Sequence, residues 1–323
     1  MRARGGLPLY RAPMNFQRTR SHFYEFVGKG TYLVSEMTKL TPDEFAKFAK
    51  FVHDMAGIYI SEDKSTLLSN RLRRRIRALS LESFGEYYRK FSEPAFAEDE
   101  LPHFLSAVTT NETYFYRNER LWELLENRLI PEFLERHAKT DRTIKVWSAA
   151  ASSGEEAYTA AIVLRESLPE FAKWNVRIVA SDISKKVLDA ARQGIYNDYA
   201  VAKMKPELRQ KWFRAKDDRF ELKDEIRKMV DFKFHNLRDP FPQGGFDFVL
   251  LRNVLMYFDN PMKIRTMEMT AAAVAPGGYL YIGDVDPIRS SAELLRAMPL
   301  TPDVPGLYRK LPKEALSTAG RKS

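Results

Sequence analysis

The sequence predicts an α/β protein in which a doubly wound, mostly parallel sheet is preceded by a small all-helical domain. Three observations support this fold class. From residue 144 onward, short apolar runs alternate with segments of helical periodicity, as in sheets whose parallel strands are joined by helices. No strand pattern occurs before residue 140. Residues 195–229 are rich in charge and interrupt the alternation, which indicates a small inserted subdomain.

The α/β part is predicted from four apolar runs and one segment in which apolar and charged residues alternate. Phe246 to Leu251 is nearly continuously apolar, as expected for a strand buried on both faces. The other predicted strands are Ile144 to Ala149, Val176 to Ser181, Val230 to Phe234 and Tyr279 to Ile282. The predicted helices between them are Glu155 to Ser167, Lys185 to Arg192 and Pro261 to Val274.

The helical part begins with a recognisable helix start. Thr41 is a capping residue, Pro42 suits the first helical position and Glu44 completes a capping box. A second helix, from about Lys64 to Leu79, carries one apolar stripe, and arginines occupy much of its remaining circumference. Further helices are predicted near residues 83–92 and 98–107.

Length and composition indicate a globular chain with unequal domains. Of its 323 residues, 44% are hydrophobic and none is cysteine, which excludes disulfides, thiolate metal sites and cysteine nucleophiles. No apolar run suits a membrane helix or a signal peptide, so we expect a cytoplasmic protein without membrane insertion. The predicted parts are a poorly ordered extension at 1–36, the helical domain at 37–107, the α/β domain at 108–312 and a tail at 313–323.

The net charge of +9 is unevenly distributed. The segment from Lys64 to Arg77 contains no acidic residue and six basic ones: Lys64, Arg71, Arg73, Arg74, Arg75 and Arg77. Such a block commonly forms a solvated helix face. The functional interpretation is a docking surface for an acidic partner, either nucleic acid or an acidic protein.

The loop after the first predicted strand favours a cationic ligand. In doubly wound sheets the ligand lies beyond the carboxyl ends of the strands. Residues 148–156 contain one glycine and lack the G-x-G-x-x-G pattern that holds a pyrophosphate. Glu155 and Glu156 would repel a phosphate at this helix start, but they suit a ligand with an ammonium group. The alternative is that both only complement the helix dipole.

Two further strand ends carry polar candidates. Asp182 ends the second strand, where a carboxylate can accept hydrogen bonds from ribose hydroxyls, although it could also cap the next helix. Arg252 and Asn253 directly follow the buried strand, so they should lie at the ligand-binding edge of the sheet. Tyr257 comes shortly after them, and simple packing with a solvated hydroxyl would explain it equally well.

Several motifs in register resemble the chemotaxis receptor methyltransferases of the CheR type. The resemblance covers roughly residues 38–312 and includes the helical domain. Its motifs are Thr110-Asn111-Glu112-Thr113-Tyr114-Phe115-Tyr116-Arg117, Trp147-Ser148-Ala149-Ala150-Ala151-Ser152-Ser153-Gly154-Glu155-Glu156, Asp182, Asn236-Leu237 and Arg252-Asn253-Val254-Leu255-Met256-Tyr257-Phe258-Asp259.

This resemblance implies a fold like that of class I S-adenosylmethionine methyltransferases. It also implies methyl transfer to glutamate side chains of chemoreceptor signalling domains, with S-adenosylhomocysteine as product and no metal. Residues implied to contact the cofactor are Asn111, Thr113, Arg117, Glu155, Asp182, Asn236, Leu237, Arg252 and Asn253. Arg117 and Tyr257 would lie closest to the reacting centre. The receptor would be met by Arg71, Arg73, Arg74, Arg75 and Arg77.

The chemistry of the residues agrees with that reaction. A glutamate carboxylate is ionised at neutral pH, since its reference pKa is about 4.3, and it can attack a methyl sulfonium without a general base. The site then needs alignment of the reacting groups more than proton transfer. The sequence indeed shows no Ser-His or His-Asp arrangement at the predicted site.

The chain departs from the family pattern at two places. Gly283-Asp284-Val285-Asp286 stands where the family usually carries a Gly-His-Ser-Glu-like turn. Residues 212–219 lack the glycines of the subdomain that tethers some members to a receptor tail peptide, so we predict no such tethering. Two alternatives remain at this point: a non-catalytic module that binds S-adenosylmethionine, and a nucleic-acid methyltransferase, although no nucleic-acid partner is expected.

Overall fold

The computed structural model describes residues 39–283 and 300–311, which belong to one compact unit. The predicted extension at 1–36, the tail at 313–323 and the departure at Asp284-Val285-Asp286 lie outside the described residues. No helix in the described ranges combines the length and apolar character that a membrane span requires.

Residues 39–108 form a bundle of helices. They are α1 (Pro42–Ala56), α2 (Ser65–Ala78), α3 (Phe84–Lys90) and α4 (Pro94–Val108). The predicted capping box opens α1: the Glu44 amide donates to Thr41 Oγ1 at 3.3 Å, and the Thr41 amide donates to Glu44 Oε2 at 3.0 Å. Helix α4 starts earlier than predicted because Pro94 occupies its first turn.

The core of the helical domain contains a buried ion pair. Phe48, Leu72 and Ile76 are fully buried there. Beside them, Arg75 Nε and Nη2 donate to the Glu100 carboxylate at 2.8 and 2.6 Å, and the Tyr87 hydroxyl donates to the same carboxylate at 2.6 Å. The Arg75 guanidinium thus compensates the Glu100 carboxylate within the domain, and its role in receptor docking stays a prediction.

The remaining strands and helices belong to the α/β domain. The strands are β1 (Thr143–Ala149), β2 (Asn175–Asp182), β3 (Ile195–Tyr196), β4 (Phe213–Lys216), β5 (Arg219–Leu222), β6 (Val230–Phe234), β7 (Phe246–Leu251), β8 (Val274–Tyr281), β9 (Thr301–Pro302) and β10 (Leu307–Arg309). The helices are α5 (Glu119–Leu124), α6 (Ile130–His137), α7 (Glu155–Ser167), α8 (Lys185–Gln193), α9 (Asp198–Val201), α10 (Pro206–Trp212), α11 (Asp224–Arg227) and α12 (Asn260–Ala273).

The main sheet has the strand order β6-β2-β1-β7-β8-β10-β9. Strands β6, β2, β1, β7 and β8 run parallel, and β10 is antiparallel to β8. The chain starts in the middle at β1, moves outward to β6, then returns to β7 on the other side of β1. This arrangement confirms the predicted doubly wound, mostly parallel sheet, and it places the switch in strand order between β1 and β7.

Both faces of this sheet are covered. Phe248 and Leu250 of β7 point into a core shared with α5 to α8, whereas Val249 and Leu251 point into a core shared with α12. All six residues of β7 are buried, as the continuous apolar run predicts. In a sheet of this topology, ligands bind beyond the carboxyl ends of the strands, where the loops to the next elements begin.

Residues 195–229 contain a second, smaller sheet. Its three antiparallel strands have the order β3-β5-β4. Tyr196, Trp212 and Phe213 from this segment pack into the same core as α7, so the insertion shares the interior of the α/β domain. Its backbone also reaches the loop before α5, because Ala200 O accepts a hydrogen bond from the Phe115 amide at 2.9 Å.

Candidate active site

A cavity of about 270 Å³ lies between the helical domain and the carboxyl edge of the main sheet. We call it the large cavity. Its helical wall includes Ile58, Tyr59, Leu67, Leu68 and Arg71, and its sheet wall includes Asp182, Ile183, Asn236, Leu237 and Tyr257. The helical wall is mostly apolar, whereas the sheet wall carries a carboxylate. The site therefore depends on both domains.

A smaller and more polar cavity of about 50 Å³ adjoins it. Thr113, Arg117, Glu156 and Arg252 line this small cavity. The two cavities share five residues: Thr110, Asn111, Ala150, Ser152 and Asn253. Together they form one elongated cleft with an apolar end, a charged end and a junction between them.

The backbone at the junction is strained. Ala150, Ser152 and Asn253 have φ angles of 59°, 51° and 54°, in the left-handed region that residues other than glycine rarely adopt. All three line both cavities. Strained backbone of this kind concentrates at ligand-binding sites, since the surrounding structure must hold it in place.

Gly154 serves packing at the start of α7. Its φ is +91°, and a Cβ atom there would lie 2.9 Å from Phe232 Cζ and 3.0 Å from Ala191 Cβ. Gly154 itself lines neither cavity. The single glycine of this loop therefore allows the helix to approach its neighbours.

Asp182 combines a local role with a place in the large cavity. Its Oδ2 accepts a hydrogen bond from the Ser152 amide at 2.9 Å, and its Oδ1 accepts one from the Ser184 amide at 2.9 Å. The cap of α8 is Ser184, so Asp182 does not take that role directly. Burial raises the pKa of the Asp182 carboxyl. The carboxylate also lines the large cavity, where it can accept hydrogen bonds from a ligand.

Glu155 and Glu156 lie in different surroundings. The Glu155 carboxylate lines neither cavity, accepts a hydrogen bond from the Ser153 hydroxyl at 2.8 Å, and has a pKa raised to about 7 by burial. Glu156 lines the small cavity and accepts from Ser148 Oγ at 2.7 Å. The carboxylate that lines the cleft is therefore that of Glu156 and not that of Glu155, because one step along a helix rotates a side chain by about 100°.

Arg252 holds the charged end of the cleft together. Its buried guanidinium donates from Nη1 to Glu156 Oε2 at 2.9 Å and from Nη2 to the Arg117 carbonyl at 2.9 Å. Arg117 in turn donates from Nη1 to the Glu112 carbonyl at 3.0 Å, and its guanidinium lies over the Tyr114 ring. Arg252 therefore orients both Glu156 and the loop that carries Arg117.

Asn236 and Asn111 make mainly internal contacts. Asn236 Nδ2 donates to the Met55 carbonyl at 2.8 Å and its Oδ1 accepts from the Arg238 amide at 3.1 Å, which ties the sheet to α1. The Asn111 carbonyl accepts from Ser152 Oγ at 2.9 Å, at the junction. The cleft thus brings together all predicted cofactor residues except Glu155.

Comparison with known proteins identifies the family. The model of the all-alpha domain of CheR methyltransferases matches residues 43–109, and the model of their S-adenosylmethionine-binding domain matches residues 111–304. The chain belongs to the CheR methyltransferase family.

Several chemotaxis protein methyltransferases are similar to this chain over most of their length. The chain is 33% identical over 247 residues to a probable chemotaxis protein methyltransferase of Rhizobium etli, which covers 75% of this chain and 91% of the relative. It is 34% identical over 268 residues to the chemotaxis protein methyltransferase of Borreliella burgdorferi, covering 81% and 94%. It is 36% identical over 265 residues to chemotaxis protein methyltransferase 2 of Pseudomonas aeruginosa, covering 80% and 91%.

The arginines of α2 have separate surroundings in this CheR methyltransferase. Arg74 and Arg77 are exposed. Arg71 lines the large cavity and donates to the Val108 carbonyl and, at 2.8 Å, to Thr110 Oγ1. Arg73 is half-buried, and its Nε has no hydrogen-bond partner. Only part of the predicted docking set is therefore available at the surface.

Sequence reasoning assigned no role to several residues that line the cleft. Glu156 belongs to the same motif as Glu155. The two differ in the direction in which their side chains leave α7. Tyr59 and Leu67 gave no signal, because their place in the cavity depends on how the two domains pack. His235 directly precedes the predicted Asn236, and it also lines the large cavity.

Proposed function

We propose that this methyltransferase converts glutamate side chains of chemoreceptor signalling domains into methyl esters. The observation that carries the proposal is the division of one cleft into an apolar end beside a buried carboxylate and a small end lined by paired charges. The protein side chain that is to be methylated would enter where these two ends meet. The names of the relatives support a chemotaxis substrate.

The residues of the cleft fit S-adenosylmethionine. Asp182 would accept hydrogen bonds from the ribose hydroxyls, and the apolar large cavity would take the adenine. In the small cavity, Glu156 would pair with the ammonium group and Arg117 with the carboxylate of the methionine part. When bound, the cofactor supplies an electrophilic methyl group on a positively charged sulfur. The carboxylates of the cleft favour that charge.

Transfer to glutamate asks little of the protein beyond alignment. The substrate carboxylate is already ionised at neutral pH, so no residue has to remove a proton. Tyr257 lines the large cavity, where its hydroxyl can orient an incoming carboxylate, and Arg117 aligns the cofactor through the methionine carboxylate that it would hold in the small cavity. The alignment of reacting atoms supplies the acceleration.

The surface beside the cleft suits an acidic substrate. Arg74 and Arg77 are exposed on α2, the helix from which Leu67, Leu68 and Arg71 line the large cavity. Positive charge at that place would attract the acidic receptor segment and orient it.

The bond formed on the substrate tests this function. Receptor-containing membranes are incubated with the enzyme and cofactor labelled with tritium in its methyl group. We expect label in the receptor that mild base releases as methanol, because carboxyl esters hydrolyse readily and N-methyl groups do not. Label that stays on protein after base treatment, or label found in nucleic acid, would contradict the proposal. Cofactor binding without any transfer would favour a non-catalytic role.

A further inference from the structure

An exposed tyrosine of the inserted subdomain is fixed on the loop that carries Arg117. Tyr199 lies in α9 and is 56% exposed, yet its hydroxyl donates to Glu112 Oε1 at 2.7 Å. Its ring packs edge-on against the Tyr114 ring, with centroids 6.0 Å apart and an angle of 74° between planes. Tyr199 lines neither cavity, whereas Glu112 and Tyr114 both line the small one. The tyrosine therefore supports the small cavity from outside.

The Arg117 guanidinium rests on the same two residues. Its Nη1 donates to the Glu112 carbonyl at 3.0 Å, and its central carbon lies 5.8 Å from the centroid of the Tyr114 ring. Glu112 and Tyr114 thus each contact both Arg117 and Tyr199. A long arginine side chain keeps one conformation only where its neighbours restrict it, because ordering it costs conformational entropy.

The backbone of this loop is fastened to the insertion as well. The Phe115 amide donates to the Ala200 carbonyl at 2.9 Å. The buried Phe115 ring packs edge-on against Tyr196 and Phe213, with centroids 4.9 and 5.2 Å away. The insertion therefore fixes the middle of the loop, while Tyr199 contacts the side chains that line the small cavity.

We propose that Tyr199 is a positioning residue that holds the Arg117 guanidinium where the small cavity receives the carboxylate of the cofactor's methionine part. It acts through Glu112 and Tyr114. This inference rests on the proposed placement of S-adenosylmethionine in the cleft. A planar guanidinium binds a carboxylate through directed hydrogen bonds, so a change in its orientation weakens the contact. A side chain outside the cleft can therefore set the affinity for the methionine part without touching it.

Two ligands that differ in the methionine part test this role without turnover. S-adenosylhomocysteine carries the amino acid, whereas methylthioadenosine has the same nucleoside and sulfur but only a methyl group in place of the amino-acid chain. Calorimetry measures both affinities. We expect Tyr199→Ala to bind S-adenosylhomocysteine about 3- to 10-fold more weakly, as for the loss of one hydrogen bond, and to bind methylthioadenosine within about twofold of the wild type. Equal losses for both ligands, or no loss for either, would overturn the proposal.

A double variant shows whether Tyr199 acts through Arg117. Arg117→Ala removes the guanidinium, so adding Tyr199→Ala to that variant should cause no further loss of affinity for S-adenosylhomocysteine. If the second change weakens binding as much as it does in the wild type, Tyr199 works independently of Arg117 and the proposal is wrong.

Two single variants complete the test. Tyr199→Phe keeps the ring on Tyr114 and removes the hydroxyl, so its preference for S-adenosylhomocysteine over methylthioadenosine should lie between those of the wild type and Tyr199→Ala. It replaces Tyr199→Ala if that protein does not fold, and a wild-type preference would then contradict the proposal. Lys203→Ala is the matched control, because it truncates an exposed side chain just after α9 that lines neither cavity. It should bind both ligands like the wild type, and an altered preference there would deny Tyr199 a specific role.

The outcome can be separated from the fate of the proposed function. A wild-type protein that binds S-adenosylhomocysteine no better than methylthioadenosine would refute the placement of the methionine part, along with the role of Tyr199. A normal preference with base-stable label in the receptor would refute glutamate methylation and leave the role of Tyr199 standing. Base-labile label with an unchanged preference in Tyr199→Ala would refute only the role of Tyr199.

Discussion

Glu155 and Glu156 are neighbours in the chain but differ in solvation and partners. Glu155 is 4% exposed, and burial raises its pKa to about 7. The Glu156 carboxylate is mostly buried and paired with the Arg252 guanidinium, and this pairing offsets part of the cost of desolvating the two groups. A carboxylate that binds an ammonium group has to reach the ligand, and of these two glutamates only Glu156 lines the cleft.

Exchanging each glutamate for glutamine separates the two roles. We expect Glu156→Gln to weaken binding of S-adenosylhomocysteine by about 10- to 100-fold, the usual effect of losing a charge-assisted hydrogen bond. Glu155→Gln is the matched control and should bind the ligand nearly as tightly as the wild type, because its side chain lines neither cavity. Isothermal titration measures both, and a larger loss in Glu155→Gln would reverse the assignment.

Helix α2 serves two surfaces at once. It contributes Leu67, Leu68 and Arg71 to the large cavity, and the exposed Arg74 follows three residues after Arg71 on the same side of the helix, with the exposed Arg77 one turn further on. Arg75 belongs to neither surface, because it is paired with Glu100 in the domain core. Choosing docking residues by charge alone therefore combines residues of the cavity wall, of the exposed surface and of the ion pair with Glu100.

Reversing the two exposed charges should affect the substrate and spare the cofactor. We expect Arg74→Glu combined with Arg77→Glu to lower kcat/KM for receptor by about tenfold at low salt, since steering of an acidic partner depends on such charges. The difference from the wild type should shrink as salt rises, because exposed charges are screened. Affinity for S-adenosylhomocysteine should stay within about twofold of the wild type, near the smallest effect expected of one lost hydrogen bond.

A control with the same change in net charge shows whether position matters. Lys173 and Arg177 are exposed near the amino end of β2, at the opposite edge of the sheet from the cleft. Lys173→Glu combined with Arg177→Glu should leave receptor methylation nearly unchanged. If both double variants lose activity equally, net charge and not the face of α2 attracts the receptor.

At the scale of the whole molecule, the central sheet was predictable and the contact between domains was not. Strands β1, β2 and β7 are marked by apolar runs and β6 by alternation, and polar residues at their carboxyl ends mark the sheet side of the site. Strands β3 and β10 have two and three residues, too few for a periodicity, and α5 and α6 were not predicted. The helical wall at Ile58 and Tyr59 has no sequence signal, because it arises from packing.

Gly57 offers a test of that packing, since it lies where the helical domain meets α12. It ends α1 with a φ of +70°, and a Cβ atom there would lie 2.7 Å from Met262 Cγ. We expect Gly57→Ala to lower the melting temperature and to weaken S-adenosylhomocysteine binding several-fold, because it strains the backbone and displaces the adjoining cavity wall at Ile58 and Tyr59. Gly85→Ala is the matched control: it lies in the first turn of α3 without left-handed φ, and a Cβ atom there would meet Glu44 Oε1 at 3.3 Å. That variant should keep wild-type ligand binding, because Gly85 lines neither cavity. Thermal unfolding and calorimetry on both proteins decide the matter, and wild-type binding in Gly57→Ala would show that the cavity does not depend on this junction.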